Sequence, residues 1–233
     1  MASIAAFGLV GEMAGQFEQW WQLRGEWVEE PNQRRGGESG VQRLYGEDGS
    51  LLYVKRQVGH LYRDWLHPFG RPTVLRERDA LLGLTRLGVR VPRLVFCEAN
   101  YSASAGWRAL LVSESLDGFQ DIVSWYAQGG REQCTADEHQ LLLQRIGAIL
   151  ARMHRGRWQH GCIYSKHVFV KMGVDGPEVA LLDLEKCRQR LSRHRAARHD
   201  LRQLRRHSSW SDAEWQQLIY GYEQVFGGTI KGL

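Results

Sequence analysis

The chain has 233 residues, enough for one large domain or two small lobes and too short for more. Hydrophobic residues at 43% can fill a core and charged residues at 24% are ordinary for a globular protein, which excludes global disorder. The net charge of +5 and the sequence pI of about 9.2 favour anionic partners, such as nucleotides, nucleic acid or an acidic membrane surface, without choosing among them.

The start, Met1 to Trp20, lacks a basic opening and carries Glu12 and Glu18, so it does not read as a secretory signal. Residues 12–27, with Phe17, Trp20, Trp21 and Trp27, read as a helix leading into a strand. Arg34-Arg35-Gly36-Gly37-Glu38-Ser39-Gly40 is a glycine-rich turn with basic flanks, and Val41–Tyr45 follows as a strand. Glu47-Asp48-Gly49-Ser50 is a hairpin signal, because Asp-Gly supplies the positive φ angles of a tight turn. Leu51–Val54 is the returning strand, ending in Lys55. Pro72 and Thr73 open a helix that carries Leu75, Leu81, Leu82 and Leu84 and stops near Gly88. Val89–Cys97 holds a proline-interrupted strand, and Trp107–Glu114 is another with an apolar middle.

After Asp117-Gly118 the character changes. Thr135 and Glu138 form a capping box that opens a long helix with Leu142, Ile146, Ile149 and Met153 on one stripe. Past His154 the chain is polar and irregular to His167. Val168–Val170 and Val179–Leu182 read as short strands, the second ending in Asp183. Arg188–His207 is partly helical, and a closing helix spans roughly 212–225. A strand-rich first half and a helix-rich second half predict an α+β chain of two lobes, 1–115 and 116–233, with a cleft between them.

Phosphoryl transfer asks little covalent chemistry of a protein. It needs cations on the phosphates and an acceptor held in line. The parts that meet those needs occur here in order: the glycine turn (Gly36, Gly37, Gly40), a strand lysine (Lys55), a glutamate on the next helix (Glu77), and the loop His160-Gly161-Cys162-Ile163-Tyr164-Ser165-Lys166-His167 straight after the long helix. Asp183 then ends the following hairpin. Each part alone is ordinary, and their common order is what points to a kinase.

These runs, together with Tyr53-Val54-Lys55-Arg56-Gln57, Arg76-Glu77 and Leu182-Asp183-Leu184-Glu185, resemble the InaA-type lipopolysaccharide kinases over about residues 25–225. The resemblance implies a protein-kinase-like bilobal fold, with an antiparallel sheet and one helix in the N-lobe and a mainly helical C-lobe. It implies ATP-dependent transfer to a sugar hydroxyl of the lipopolysaccharide core. Gly36, Gly37, Gly40, Lys55, Glu77 and Glu114 would then bind nucleotide, and Asp183, with His167 at the usual metal-binding asparagine position, would hold magnesium. His167 reads equally as a structural histidine hydrogen-bonded in its loop. Asp200 resembles an acid that braces the catalytic loop, or else makes an ordinary ion pair.

The departure is Cys162, two residues after His160, where a catalytic loop normally carries the aspartate that accepts from the acceptor hydroxyl. A free thiol, with a pKa of ~8.5, is a poor substitute for a carboxylate. A pseudokinase with a regulatory or scaffolding role is therefore the rival. Cys97, Cys134, Cys162 and Cys187 form no C-x-x-C pair, and a zinc set drawn from His160, Cys162, His167 and Cys187 matches no standard spacing. The four read as free thiols of a cytoplasmic protein. From Arg188 to His207 there are eight arginines and one acid, Asp200. That segment suits an anionic acceptor or the inner face of the inner membrane. Nothing resembles a helix-turn-helix or RNA-binding motif, so no specific nucleic-acid partner is expected.

Overall fold

The computed structural model describes residues 3–4, 13–34, 36–46 and 48–230. Arg35 of the basic flank, Glu47 of the hairpin signal and half of the Met1–Trp20 start, Glu12 included, lie outside the described residues. The chain divides into two compact units, residues 1–79 with 92–115 and residues 80–91 with 116–233.

The first unit is built on a six-stranded sheet. Its elements are β1 (Ser3–Ile4), α1 (Met13–Gln22), β2 (Glu26–Arg34), β3 (Gly37–Gly46), β4 (Leu51–Val58), the small ribbon β5 (Leu61–Tyr62) and β6 (Arg71–Pro72), the first half of α2 (Thr73–Arg86), whose residues from Ala80 on belong to the second unit, β7 (Leu94–Ser102) and β8 (Gly106–Glu114). The sheet order is β1-β3-β4-β8-β7 with β2 also on β3, and every pairing is antiparallel except β1 with β3. The glycine run is shorter as a turn than its composition suggests. Gly36, with φ of 73°, makes the turn, while Gly37 and Gly40 already lie in β3. A side chain at Gly37 would strike the Gly59 backbone at 2.2 Å, and one at Gly40 would meet the Trp27 ring at 2.8 Å.

Strand alternation sorts β4 onto two faces. Leu52 and Val54 join Phe17, Leu44, Leu110 and Val112 in a core covered by α1. Arg56, on that same face, donates to the Trp20 and Leu23 carbonyls at 3.1 and 2.5 Å, capping the orphan acceptors at the end of α1. Lys55 and Gln57 take the other face. Gln57 is buried and accepts from the Val74 N–H at 3.2 Å while exchanging hydrogen bonds with the Thr73 hydroxyl. The start of α2 is therefore pinned to β4.

The second unit continues with β9 (Gln120–Asp121), α3 (Ile122–Ala127), α4 (Ala136–Arg155), β10 (Trp158–Gln159), β11 (Val168–Gly173), β12 (Gly176–Leu181), β13 (Arg188–Gln189), α5 (Arg193–Arg206) and α6 (Asp212–Phe226). Short 3₁₀ turns cover Ser165–His167 and Leu184–Lys186. α4 carries the capping box of Thr135 and Glu138 and buries Leu142, Ile146, Ile149 and Met153. It crosses α6 closely at Gly147 and Gly221, where an added methyl group would lie 2.0 and 2.2 Å from carbonyl oxygens of the opposite helix. Four tryptophans, Trp125, Trp158, Trp210 and Trp215, are buried in this unit, whereas Trp65 of the first is 87% exposed. No helix among the described residues is long and apolar enough to cross a membrane.

Candidate active site

In the first unit, Lys55 Nζ donates to Glu77 Oε2 at 2.8 Å, with both side chains mostly shielded. The construction is local. Gln57 fixes the first turn of α2, and Glu77, four residues after Thr73, returns to the same helical face and meets Lys55. Gly36 and Gly59 line an open cavity of about 690 Å³ with Leu61, Tyr62, Arg63 and Arg76. Glu114, at the end of β8, is held by Arg93: its backbone N–H donates to the Arg93 carbonyl at 2.9 Å, and its carboxylate takes both ends of the Arg93 guanidinium.

In the second unit, the loop from His160 to His167 hangs on one buried carboxylate. Asp200 accepts from the His160 N–H at 2.6 Å, the Gly161 N–H at 3.0 Å, His154 Nε2 at 3.2 Å and His199 Nδ1 at 3.0 Å. Burial by itself would raise the Asp200 pKa. The hydrogen bonds from His154 and His199 outweigh it and hold the group well below the usual carboxylate range. His160 is fully buried and donates through Nε2 to the Leu182 carbonyl at 3.0 Å. Burial lowers its pKa and keeps the ring neutral.

The geometry fixes the state of His167. Its Nδ1 lies 2.7 Å from the Cys162 carbonyl, which can only accept, so Nδ1 carries the proton. Burial lowers the His167 pKa, opposed by the Asp183 charge, and leaves a lone pair on Nε2. That lone pair faces Asp183 Oδ2 at 3.3 Å. Asp183 itself sits in the left-handed region, φ 60° and ψ 61°, an uncommon conformation for a residue with a side chain and one that collects at functional positions. Two electron-rich atoms converging with no fixed proton between them suit a divalent cation. Magnesium commonly takes one or two protein ligands and completes its shell with water and phosphate oxygens, and no set of three or more metal-ligating side chains occurs among the described residues. The donor set thus fits an ion carried in with phosphate. Magnesium prefers oxygen, so the Asp183 carboxylate is the stronger of the two ligands for it and the imidazole nitrogen the weaker.

Cys162 is half-buried, and the Lys186 ammonium approaches its sulfur at 3.5 Å. Lys186 was not singled out by the sequence. Its one signal is position, at the end of the 3₁₀ turn that follows Asp183. No carboxylate replaces the missing aspartate by hydrogen bonding to Cys162 among the described residues.

A lysine–glutamate pair between a sheet and its helix, and an acid at the end of a hairpin facing a catalytic-type loop, define a protein of the kinase class. The chain belongs to the lipopolysaccharide kinase (Kdo/WaaP) family, whose model matches residues 18–222. It is 43% identical to Protein InaA of Escherichia coli (strain K12) over 204 residues, 87% of this chain and 93% of that one. It is 24% identical to a 3-deoxy-D-manno-octulosonic acid kinase of Pasteurella multocida (strain Pm70) over 192 residues, 77% of each chain. A kinase of the same description from Vibrio vulnificus (strain YJ016) is 27% identical over 182 residues, 71% of this chain and 70% of that one. Among solved structures, WaaP in complex with acyl carrier protein superposes with a TM-score of 0.67 at 19% identity, covering 90% of this chain and 82% of that one. The fold is therefore protein-kinase-like.

Proposed function

We propose that the chain transfers a phosphoryl group from ATP to a sugar hydroxyl of the lipopolysaccharide core. The observation that carries this reading is the shielded Lys55–Glu77 pair at 2.8 Å in a chain of the lipopolysaccharide kinase family. Glu77 holds the ammonium in place for nucleotide phosphates. Gly36, with open space where a side chain would stand, would leave the β2–β3 turn clear for a phosphate, whereas Gly37 and Gly40 are packed against the Gly59 backbone and the Trp27 ring. Glu114 ends the strand along which the base would lie. Asp183 and His167 Nε2 would hold a divalent ion, which when bound neutralises charge on the transferred phosphoryl group. Lys186 adds a cation beside Cys162, where the acceptor oxygen would arrive.

Cys162 supplies no carboxylate base. General-base catalysis typically contributes ~10²–10⁴-fold, so positioning and charge can still drive transfer, with the hydroxyl proton leaving late to a phosphate oxygen or water. The acceptor of the relatives named as 3-deoxy-D-manno-octulosonic acid kinases is a sugar acid, and an acidic core sugar suits the basic charge of this chain. Such a reaction places the protein on the cytoplasmic side, near the inner face of the inner membrane.

A second reading, a pseudokinase that binds nucleotide for regulation or scaffolding, is favoured by Cys162 alone. The deciding experiment is incubation with labelled ATP, magnesium and deacylated core oligosaccharide, followed by mass analysis of the sugar. Transfer by the wild type that is lost in Asp183→Ala supports the kinase. ATP binding without transfer across a panel of core acceptors rejects it in favour of the pseudokinase.

A further inference from the structure

The arginines of α5 do not form one undifferentiated basic face. Arg193 packs its guanidinium 4.8 Å from the centre of the Phe226 ring, and Arg205 is taken up by the Trp210 carbonyl, Asp212 and the Trp215 ring. Arg195, Arg198 and Arg206 point elsewhere, on the face that also carries Arg202 and His199, whose Nδ1 is held by Asp200 at 3.0 Å. Their spacing of three, four, seven and eleven residues from Arg195 places them on one exposed helical stripe, opposite the buried Ala197, Leu201 and Leu204. No carboxylate pairs with Arg195, Arg198 or Arg206 among the described residues, and the single acid of the helix, Asp200, is turned inward to the catalytic-type loop. Like charges at such spacing oppose helix formation by a few tenths of a kcal/mol, roughly 0.2–0.5 per pair, and a bound anion relieves that repulsion.

The stripe is also concave. It lines a cavity of about 550 Å³ whose far wall is Tyr164 and His207. Tyr164 belongs to the loop itself. Its ring meets His207 at 4.7 Å between centroids and His167 at 5.5 Å, and the Ser165 hydroxyl donates to the His207 carbonyl at 3.3 Å. One aromatic ring therefore separates the arginine cavity from the His167–Asp183 pair.

We propose that this cavity, formed by the Arg195–Arg206 stripe of α5 with Tyr164 and His207, binds the acceptor glycan through its anionic groups and so selects which hydroxyl reaches the loop. The nature of the acceptor rests on the kinase reading above; the anion-binding cavity does not. Guanidinium forks match the planar, two-oxygen geometry of carboxylate and phosphate. A membrane surface fits less well, since a recessed polar cavity offers no apolar face to enter the lipid boundary. Phosphate and sugar-acid carboxylate present the same chemistry to the arginines, and the experiment separates them.

The probe is deacylated core oligosaccharide, titrated calorimetrically into wild type, Arg198→Gln, Arg202→Gln and Arg152→Gln. The last removes one exposed arginine from α4, away from the cavity. Loss of one charge-assisted contact is expected to weaken binding about tenfold in each α5 variant, with Arg152→Gln unchanged and the ATP-induced thermal shift intact in all four. In a transfer assay the α5 variants should raise KM for the oligosaccharide while keeping kcat. Dephosphorylated and carboxyl-reduced oligosaccharides identify the group bound: the one whose removal erases the difference between wild type and Arg198→Gln. Equal affinity in wild type and the α5 variants overturns the proposal, as does an equal loss in Arg152→Gln, which would mark diffuse charge attraction. Tighter binding to phosphatidylglycerol vesicles or a random DNA duplex than to the oligosaccharide at physiological salt also overturns it. If the α5 variants lose the oligosaccharide but ATP neither binds nor reacts, the kinase reading fails and the cavity stands.

Discussion

Asp183, Cys162 and Asp200 each have a separable effect. Nucleotide with a divalent ion at ~100 times its dissociation constant should add ~2.7 kcal/mol to wild-type stability. Asp183→Ala should lose the metal-dependent part of that gain, and an unchanged magnesium-dependent shift in a thermal melt would remove Asp183 from the metal site. Cys162→Asp would put a carboxylate beside the Lys186 ammonium, which now approaches the Cys162 sulfur at 3.5 Å, and should preserve or speed transfer if wild type is active; single-turnover rates report this directly. Asp200→Asn leaves one oxygen where two now receive four donors. Hydrogen bonds to a charged acceptor contribute ~1.5–3 kcal/mol each, so a loss on the order of 3 kcal/mol is expected in denaturant midpoint, together with loss of activity from the loosened loop.

Helices and strands in this chain are placed by a few tight contacts, and two glycines show opposite signs for one substitution. Gly221 of α6 lies against the backbone of Gln144, where a methyl group would come within 2.2 Å. Alanine normally gains ~1 kcal/mol over glycine inside a helix, but overpacking costs ~1–3 kcal/mol, so Gly221→Ala should destabilise. Gly15 of α1 has nothing within 4 Å of an added methyl group, and Gly15→Ala should stabilise by up to ~1 kcal/mol. Parallel thermal melts check both, and a stabilised Gly221→Ala would mean that α4 and α6 separate more easily than their packing indicates. Some of this scale was legible beforehand. The capping box at Thr135 and Glu138, the Asp48-Gly49 hairpin and the long α4 stripe follow from local chemistry. The short helix α3 escaped notice because six residues give too little periodicity, and Gly37 and Gly40 read as turn because composition cannot tell a turn from a strand edge that admits no side chain.

Acid stability belongs to the whole molecule. Burial lowers the pKa of His139, helped by Arg131, and burial lowers that of His160. Both folded values lie below the unfolded imidazole value of ~6.5, so the unfolded chain binds more protons as the pH falls through that range. Their contribution is complete above ~6.5 and declines with acidification. Asp200, depressed below the unfolded carboxylate value of ~3.9, adds stability that is complete above that value and is lost only in strong acid. Melting temperature should therefore fall in two stages, and His139→Gln should flatten the first. A wild-type melting temperature independent of pH from 7 to 5 would contradict this assignment.

The linear order of residues determined the kind of protein: glycine turn, strand lysine, helix glutamate, loop and acid occur in a sequence that chance rarely produces, and the helix caps and hairpin turn are written in neighbouring residues. Tertiary structure decided the rest, because those properties depend on atoms far apart in the chain. Gln57 and Thr73 set the helix that brings Glu77 to Lys55. The Cys162 carbonyl chooses the His167 tautomer, and Lys186 approaches the Cys162 sulfur across 24 residues. The eight arginines of Arg188–His207 are visible as a charge run in any reading; only folding separates those spent on aromatic rings and carbonyls from the stripe that meets Tyr164, since which side chains share a cavity is fixed by packing and not by sequence distance.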